Sequence, residues 1–209
     1  MLDALSPFWL APAPLILASK SAGRQLVLRQ AQIPFIAAPA DVDERAIEAS
    51  VIAEGGDADA VALALAGAKA LAVSRGHGDA LVLGADQVAG CGAQLFGKPA
   101  SRAEAGAQLR RLSGRTHRLY SAIALAQGGA LRFETVAHAD LAMRPLGDAF
   151  IEAYLDAMGD SVCATAGAYQ IEGLGAHLFE RVAGDHWTII GLPLLPLCDA
   201  LRRLGALRS

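Results

Sequence analysis

The chain is poor in lysine, in cysteine and in the spacings that mark familiar metal and nucleotide boxes. Of its 18 basic residues only Lys20, Lys69 and Lys98 are lysines. Cys91, Cys163 and Cys198 stand far apart, which excludes a disulfide framework and a zinc pair and fits a reducing compartment. There is no basic excess either. The 18 Lys+Arg against 21 Asp+Glu leave a net charge of −3, which argues against a broad face for duplex nucleic acid. No apolar run suits a membrane span: the most apolar stretch, residues 58–73, carries Asp59 and Lys69 and is broken by Gly67. No Lys/Arg-rich segment precedes the first apolar run, so no secretory leader is expected. GxGxxG, GxSxG and HExxH do not occur. The five histidines lack metal-box spacing and are expected at the surface or in hydrogen bonds.

What is present is a hydrophobic fraction of 54% with 19% charged residues over 209 positions, enough for a sizeable core. Leu15 to Ala18 reads as a short buried strand. Ser21 then caps a helix running to about Gln30. Phe35 to Ala37 is a second strand, Pro39 to Arg45 an acidic loop, and residues 46–53 a short helix. Ala58 to Arg75 is a strong helix with Val61, Leu65, Ala68 and Ala72 on one face. The apolar run Ala80 to Ala85 is a central strand, and Gly90-Cys91-Gly92 is a hairpin turn. Ser101 and Glu104 form a capping box for a helix to Leu112. Thr116–Ala126 and Leu131–Met143 form a hairpin, followed by a helix from Asp148 to Met158. Short strands near Leu178–Val182 and Trp187–Ile190 precede a last helix opened by Pro193. The mixture predicts an α/β fold with a mixed sheet in a single domain, residues 1–209.

Several segments suit phosphate chemistry. Ser19-Lys20-Ser21-Ala22-Gly23-Arg24 joins a strand end to a helix start, where backbone N–H groups and the helix dipole meet anions. The alternative is a plain capped helix with a solvated arginine. Asp41, Asp43 and Glu44 offer hard oxygens to a divalent cation, or form a solvated acidic turn. Asp86, after a strand without charge, suits a general base or metal ligand, or else a cap. Gly97-Lys98-Pro99 presents an ammonium on a rigid turn. Glu172 ends the Gly-flanked segment Ala166–Gly173, where simple loop solubility is the alternative. Gly92 to Lys98 spells GxxxxGK, but Pro99 stands where a P-loop needs Ser or Thr, and no parallel strand precedes it.

In order, the chain carries ASxS with a basic residue, VDE, AxxKA, GADQ, GKP, LSGRTH, GAYQIEGLG and GLPL. This ordered set, from about Leu15 to Leu197, resembles the Maf (septum-formation inhibitor) family of nucleotide pyrophosphatases. The resemblance implies a mixed elongated sheet flanked by helices, with two lobes and a central cleft, akin to inosine triphosphate pyrophosphatases. It implies a cytoplasmic enzyme, usually a homodimer, that uses a divalent cation, Mg or Mn. Such an enzyme splits nucleoside triphosphates between the α and β phosphates. By motif the catalytic carboxylate falls on Asp86, the motif acid on Glu44, the phosphate-contacting lysines on Lys69 and Lys98, and the helix-start arginine on Arg24.

Many members carry SPRR where this chain has Ser21-Ala22-Gly23-Arg24, so Gly23 removes a side chain from the expected substrate site. Gln87 and Glu172 replace a Thr and a Gln and are similar to the subgroup acting on 7-methyl-GTP, which tends to carry Trp at the Gly23 position. The expected mechanism has Asp86 deprotonate a water, with a divalent ion also held by Glu44. The phosphates lie on Ser19 to Arg24 near Lys69 and Lys98, while Gln87 and Glu172 read the base. A carboxylate accepts from the N1–H and exocyclic amine of guanine and repels the O4 of uracil or thymine. The alternatives are a dTTP/UTP-type pyrophosphatase, a nucleotide-binding regulator of division without catalysis, and a P-loop phosphatase releasing orthophosphate.

Overall fold

The computed structural model describes residues 6–209. Strands β1 (Leu15–Leu17), β2 (Phe35–Ala37), β3 (Val82–Cys91), β4 (Gln94–Phe96), β5 (Thr116–Gln127), β6 (Ala130–Met143) and β7 (Phe179–Ala183) form one sheet in the order β2-β1-β3-β5-β6-β7, with β4 also on β3. β1 runs parallel to β2 and β3, whereas β4 on β3 and β7 on β6 are antiparallel. The sheet is therefore mixed. The helices are α1 (Ala22–Gln30), α2 (Glu44–Ala53), α3 (Ala58–Ser74), α4 (Arg102–Leu112), α5 (Asp148–Met158), α6 (His186–Ile190) and α7 (Leu194–Arg203), with three short 3-10 turns between residues 159 and 178.

The chain divides into two compact units. The first holds residues up to Asp86, Ser121–Ala137 and Gly191–Ser209; the second holds Gln87–Tyr120 and His138–Ile190. In the first, β1 is wholly buried, and Ile16, Ala18, Val73 and Val82 form an apolar cluster. Helices α1 to α3 supply the crossovers that parallel strands need. In the second, Leu109, Leu112, Leu119, Leu141, Ile151 and Leu155 are among the core side chains. Helices α4 and α5 are also tied by exposed ion pairs of Arg102 and Arg110 to Asp148, Glu152 and Asp156, each pair contributing little alone.

Five sequence expectations change. β3 does not end at Ala85 but runs on to Cys91, so Asp86 sits within the strand. Gly90 and Cys91 are strand residues, and the two-residue turn is Gly92-Ala93, with Gly92 at φ 60°. This hairpin also removes any P-loop from residues 92–98, since β4 occupies residues 94–96 and the next helix opens only at Arg102. The acidic loop is shorter than expected: Asp43 caps α2, its Oδ1 accepting from the Ala46 amide at 3.0 Å, and Glu44 is helical.

Residues 187–190 are helical, because Asp185 Oδ1 accepts from the Thr188 amide at 2.8 Å and starts a turn that the apolar run hid. On α3 the buried face is Ala62, Ala66, Lys69, Ala70 and Val73 with Val61 and Leu65, while Ala68 and Ala72 are half-exposed. Alanine is so frequent in this helix that apolar spacing does not identify the face by itself.

Candidate active site

Gly84 makes the first site possible. A Cβ there would lie 2.1 Å from the Ala66 carbonyl oxygen and 2.6 Å from the Ala70 nitrogen. The backbone of α3 therefore seats directly on β3, an approach only glycine permits. Side chains two residues apart share a strand face, so Asp86 lies on the Gly84 face. Lys69 lies between Ala66 and Ala70 on α3. The outcome is a buried pair: Lys69 Nζ donates to Asp86 Oδ1 at 2.6 Å. The two residues are 8% and 7% exposed, so neither charge is left to solvent alone. The same ammonium meets Glu44 Oε1, from the first turn of α2, at 2.8 Å. Among the described residues Asp86 Oδ2 accepts no hydrogen bond.

The helix start joins this cluster. Ser21 caps α1, its Oγ accepting from the Arg24 amide at 3.4 Å. Ser19 is buried and its Oγ accepts from the Ser21 amide and from Arg24 Nη1, each at 3.2 Å. Arg24 Nη1 also donates to the Ala85 carbonyl at 2.7 Å, and Nε donates to the Gly191 carbonyl at 2.9 Å. Three of its five N–H groups are thus committed to the protein. Among the described residues Nη2 donates to none. Burial lowers the Arg24 guanidinium from its ordinary pKa, while the charges of Asp86 and Glu44 oppose the shift. The first unit therefore gathers Ser19, Arg24, Glu44, Lys69 and Asp86, two cations against two carboxylates. Gly23, half-exposed, lies in the same first turn of α1, and Lys20 is exposed.

The remaining expected residues lie in the second unit. Lys98 is exposed between β4 and α4, next to Gly97, whose carbonyl accepts from Gln108 Nε2 at 3.2 Å. Gln87 Nε2 donates to the Thr188 and Ile189 carbonyls, both at 3.0 Å. Those carbonyls belong to the end of α6, where no intrahelical donor follows, so Gln87 caps that end from β3. A small pocket lies here, its lining including Gln87, Leu119, Tyr169, Gln170 and Glu172, with Glu172 exposed at its rim. Behind its lining residue Tyr169 stands His117, whose Nε2 lies 2.6 Å from the Tyr169 hydroxyl; the motifs contained both residues, but sequence reasoning gave them no role. Gly84 was missed in the same way. An alternation of buried and exposed positions along β5 would have flagged His117.

The acidic pair fits a divalent cation in part. Asp86 and Glu44 offer hard carboxylate oxygens that converge on one point, the Lys69 ammonium. Mg and Mn accept one or two carboxylates when phosphate oxygens and water complete the shell. Among the described residues no group of three His, Cys, Asp or Glu could hold an ion, so the carboxylates available here are the two of Asp86 and Glu44. No helix among the described residues is long and apolar enough to cross a membrane.

A mixed-sheet α/β chain with a buried carboxylate–ammonium cluster at a helix start has the makings of a polyphosphate-handling enzyme. Comparison with known proteins narrows the class. The Maf family profile, described as Maf-like protein, matches residues 14–204, and the chain belongs to that family. It is 56% identical over 195 residues to a protein of Rhodopseudomonas palustris (strain ATCC BAA-98 / CGA009) named nucleoside triphosphate pyrophosphatase, covering 93% of this chain and 95% of that one. A Bradyrhizobium diazoefficiens protein of the same name is 52% identical over 195 residues, with the same coverage of 93% and 95%. A Rhizobium etli protein named 7-methyl-GTP pyrophosphatase is 48% identical over 193 residues, 92% of this chain and 97% of that one.

Proposed function

We propose that the chain hydrolyses nucleoside triphosphates between the α and β phosphates, releasing a monophosphate and pyrophosphate. The observation that carries this reading is the buried Lys69–Asp86 pair, joined by the exposed Glu44, beside the Ser19–Arg24 helix start. The names of the relatives support it.

Asp86 is the general base: Lys69 fixes its Oδ1, and Oδ2 takes the proton of the attacking water. The remaining N–H of Lys69 and Arg24 Nη2 stabilise charge as it develops on the phosphates, with Ser19 and Gly23 shaping the turn. In this reading Lys98 is a further phosphate contact. Glu44 and Asp86 would hold a divalent cation, Mg or Mn, which would supply Lewis-acid polarisation of phosphate oxygens when bound. Glu172 selects a guanine-type base and favours a 7-methylated, cationic one, a reading that the Rhizobium etli relative supports. Gln87, with both N–H groups on backbone carbonyls, holds the pocket wall. The matched region acts as one functional domain. The wider reading is a cytoplasmic homodimer without nucleic-acid or membrane partners; the net charge of −3 supports only the absence of a broad face for nucleic acid.

The test is Asp86→Asn. Steady-state pyrophosphate release should fall about 10³-fold, within the range general-base losses span. A variant that keeps more than about a tenth of the wild-type rate removes Asp86 from this role.

A further inference from the structure

His117 enters the second unit's core on the inward face of β5. It is 2% exposed. Its ring meets Tyr169 edge-on at 5.5 Å and Phe179 at 5.9 Å between centroids. Its Nε2 lies 2.6 Å from Tyr169 Oη, and its Nδ1 is buried with no partner. Burial holds the imidazole down to about pKa 4, against a weaker opposing influence of Asp140, so it is neutral at physiological pH. A buried ring with one nitrogen unsatisfied is a poor choice for packing; leucine or phenylalanine would fill the space without an orphaned polar atom. Among the described residues the one side-chain bond of the histidine is to Tyr169.

Tyr169 anchors a strained turn. Ala168, fully buried, has φ 63°, a left-handed conformation that costs a residue with a Cβ. The ring of Tyr169 folds back over Gly167, where a Cβ would lie 2.7 Å from Cε1. Thr165 Oγ1 donates to the Tyr169 carbonyl at 2.6 Å and closes the turn. At the far end Gly175 packs so closely that a Cβ would stand 2.3 Å from the Gln170 carbonyl oxygen. Between these fixed points run Gln170 and Glu172, which line the pocket with Gln87 and Tyr169. A left-handed alanine persists only where its surroundings hold it: Tyr154 Oη donates to the Ala168 carbonyl at 3.4 Å, and the Tyr169 ring, tied to His117, packs over Gly167 on its other side.

We propose that His117 is a positioning residue for base recognition: its bond to the Tyr169 hydroxyl clips down the strained 165–172 turn and so presents Glu172 in a fixed pose. The proposal rests on the base-reading role given above to Glu172. It assigns His117 no contact with the nucleotide and no part in the chemical step.

Three variants test it. Tyr169→Phe removes only the hydroxyl, His117→Leu removes the bond and keeps the bulk, and His117→Gln restores a donor and acceptor near the Nε2 position. Each is assayed on GTP, 7-methyl-GTP and UTP, with hydrogen exchange read at residues 165–172. For Tyr169→Phe and His117→Leu, KM for the preferred nucleotide should rise about tenfold, with kcat within about threefold. The kcat/KM ratio between preferred and disfavoured bases should narrow about tenfold. Exchange at 165–172 should quicken at least about tenfold, and His117→Gln should recover most of each loss. The His117→Leu/Tyr169→Phe double variant should be no worse than either single one. Base discrimination and loop exchange at wild-type values in both single variants, with only the melting temperature changed, would overturn the proposal. If the wild type splits no nucleotide, the reading of the active site fails instead, and exchange at 165–172 alone decides whether His117 clips the turn.

Discussion

The two units place polar groups in opposite ways. The first buries charge against charge: one ammonium holds a buried carboxylate and reaches an exposed one, Glu44, and a guanidinium is tied to Ser19 and to backbone carbonyls. The second buries neutral groups: an imidazole on a phenol and an amide on two carbonyls, with its charged Glu172 left at the surface. Charge-assisted bonds are short and strong and suit a reaction that moves phosphate charge. Neutral bonds define shape, and a pocket that discriminates bases needs shape and one well-placed polar rim. In the proposed reading the first unit carries the reaction and the second the selection of the base.

Removing the central cation should break the comparison most sharply. Lys69→Met leaves Glu44 and Asp86 facing one another, and kcat should fall about 10²- to 10³-fold while the preference among bases is kept. Steady-state kinetics on two nucleotides checks both halves.

The second unit should respond to pH instead. His117 titrates near 4 in the fold against 6.5 when unfolded. Because the folded value is depressed, its contribution is full above about pH 6.5 and is lost as pH falls toward 4. Urea unfolding should show the wild type losing about 3 kcal/mol more than His117→Gln over that window. Equal pH profiles would mean that the imidazole is not held neutral.

The smallest effect belongs to the exposed rim. Glu172→Gln should leave kcat within about twofold and reduce the preference for guanine over uracil nucleotides about tenfold, read as the ratio of kcat/KM.

Much of the first unit was legible from sequence because residue type carries its chemistry. A Ser-rich turn ahead of a helix and an acid after an apolar run each suggest phosphate chemistry in one dimension. Ser19, Arg24 and Asp86 were singled out in this way, Lys69 through the family resemblance, and the structure brings them together with Glu44. What brings Lys69 to Asp86 was not legible, since Gly84 acts by lacking a side chain against Ala66 and Ala70, a contact between distant elements. The second unit was read less well. Gln87 bonds to carbonyls a hundred residues away, and His117 acts through Tyr169. Backbone acceptors have no sequence signature. The mistaken strand at 187–190 has the same origin: apolar composition suggested an extended segment, and one capping aspartate decided otherwise.

Product identity tests the central claim most directly. The wild-type protein, given Mg or Mn and a panel of GTP, 7-methyl-GTP, dTTP and UTP, should form monophosphate and pyrophosphate in equal amounts, fastest with a guanine nucleotide. Diphosphate with orthophosphate, or no turnover of any nucleotide, would contradict the account.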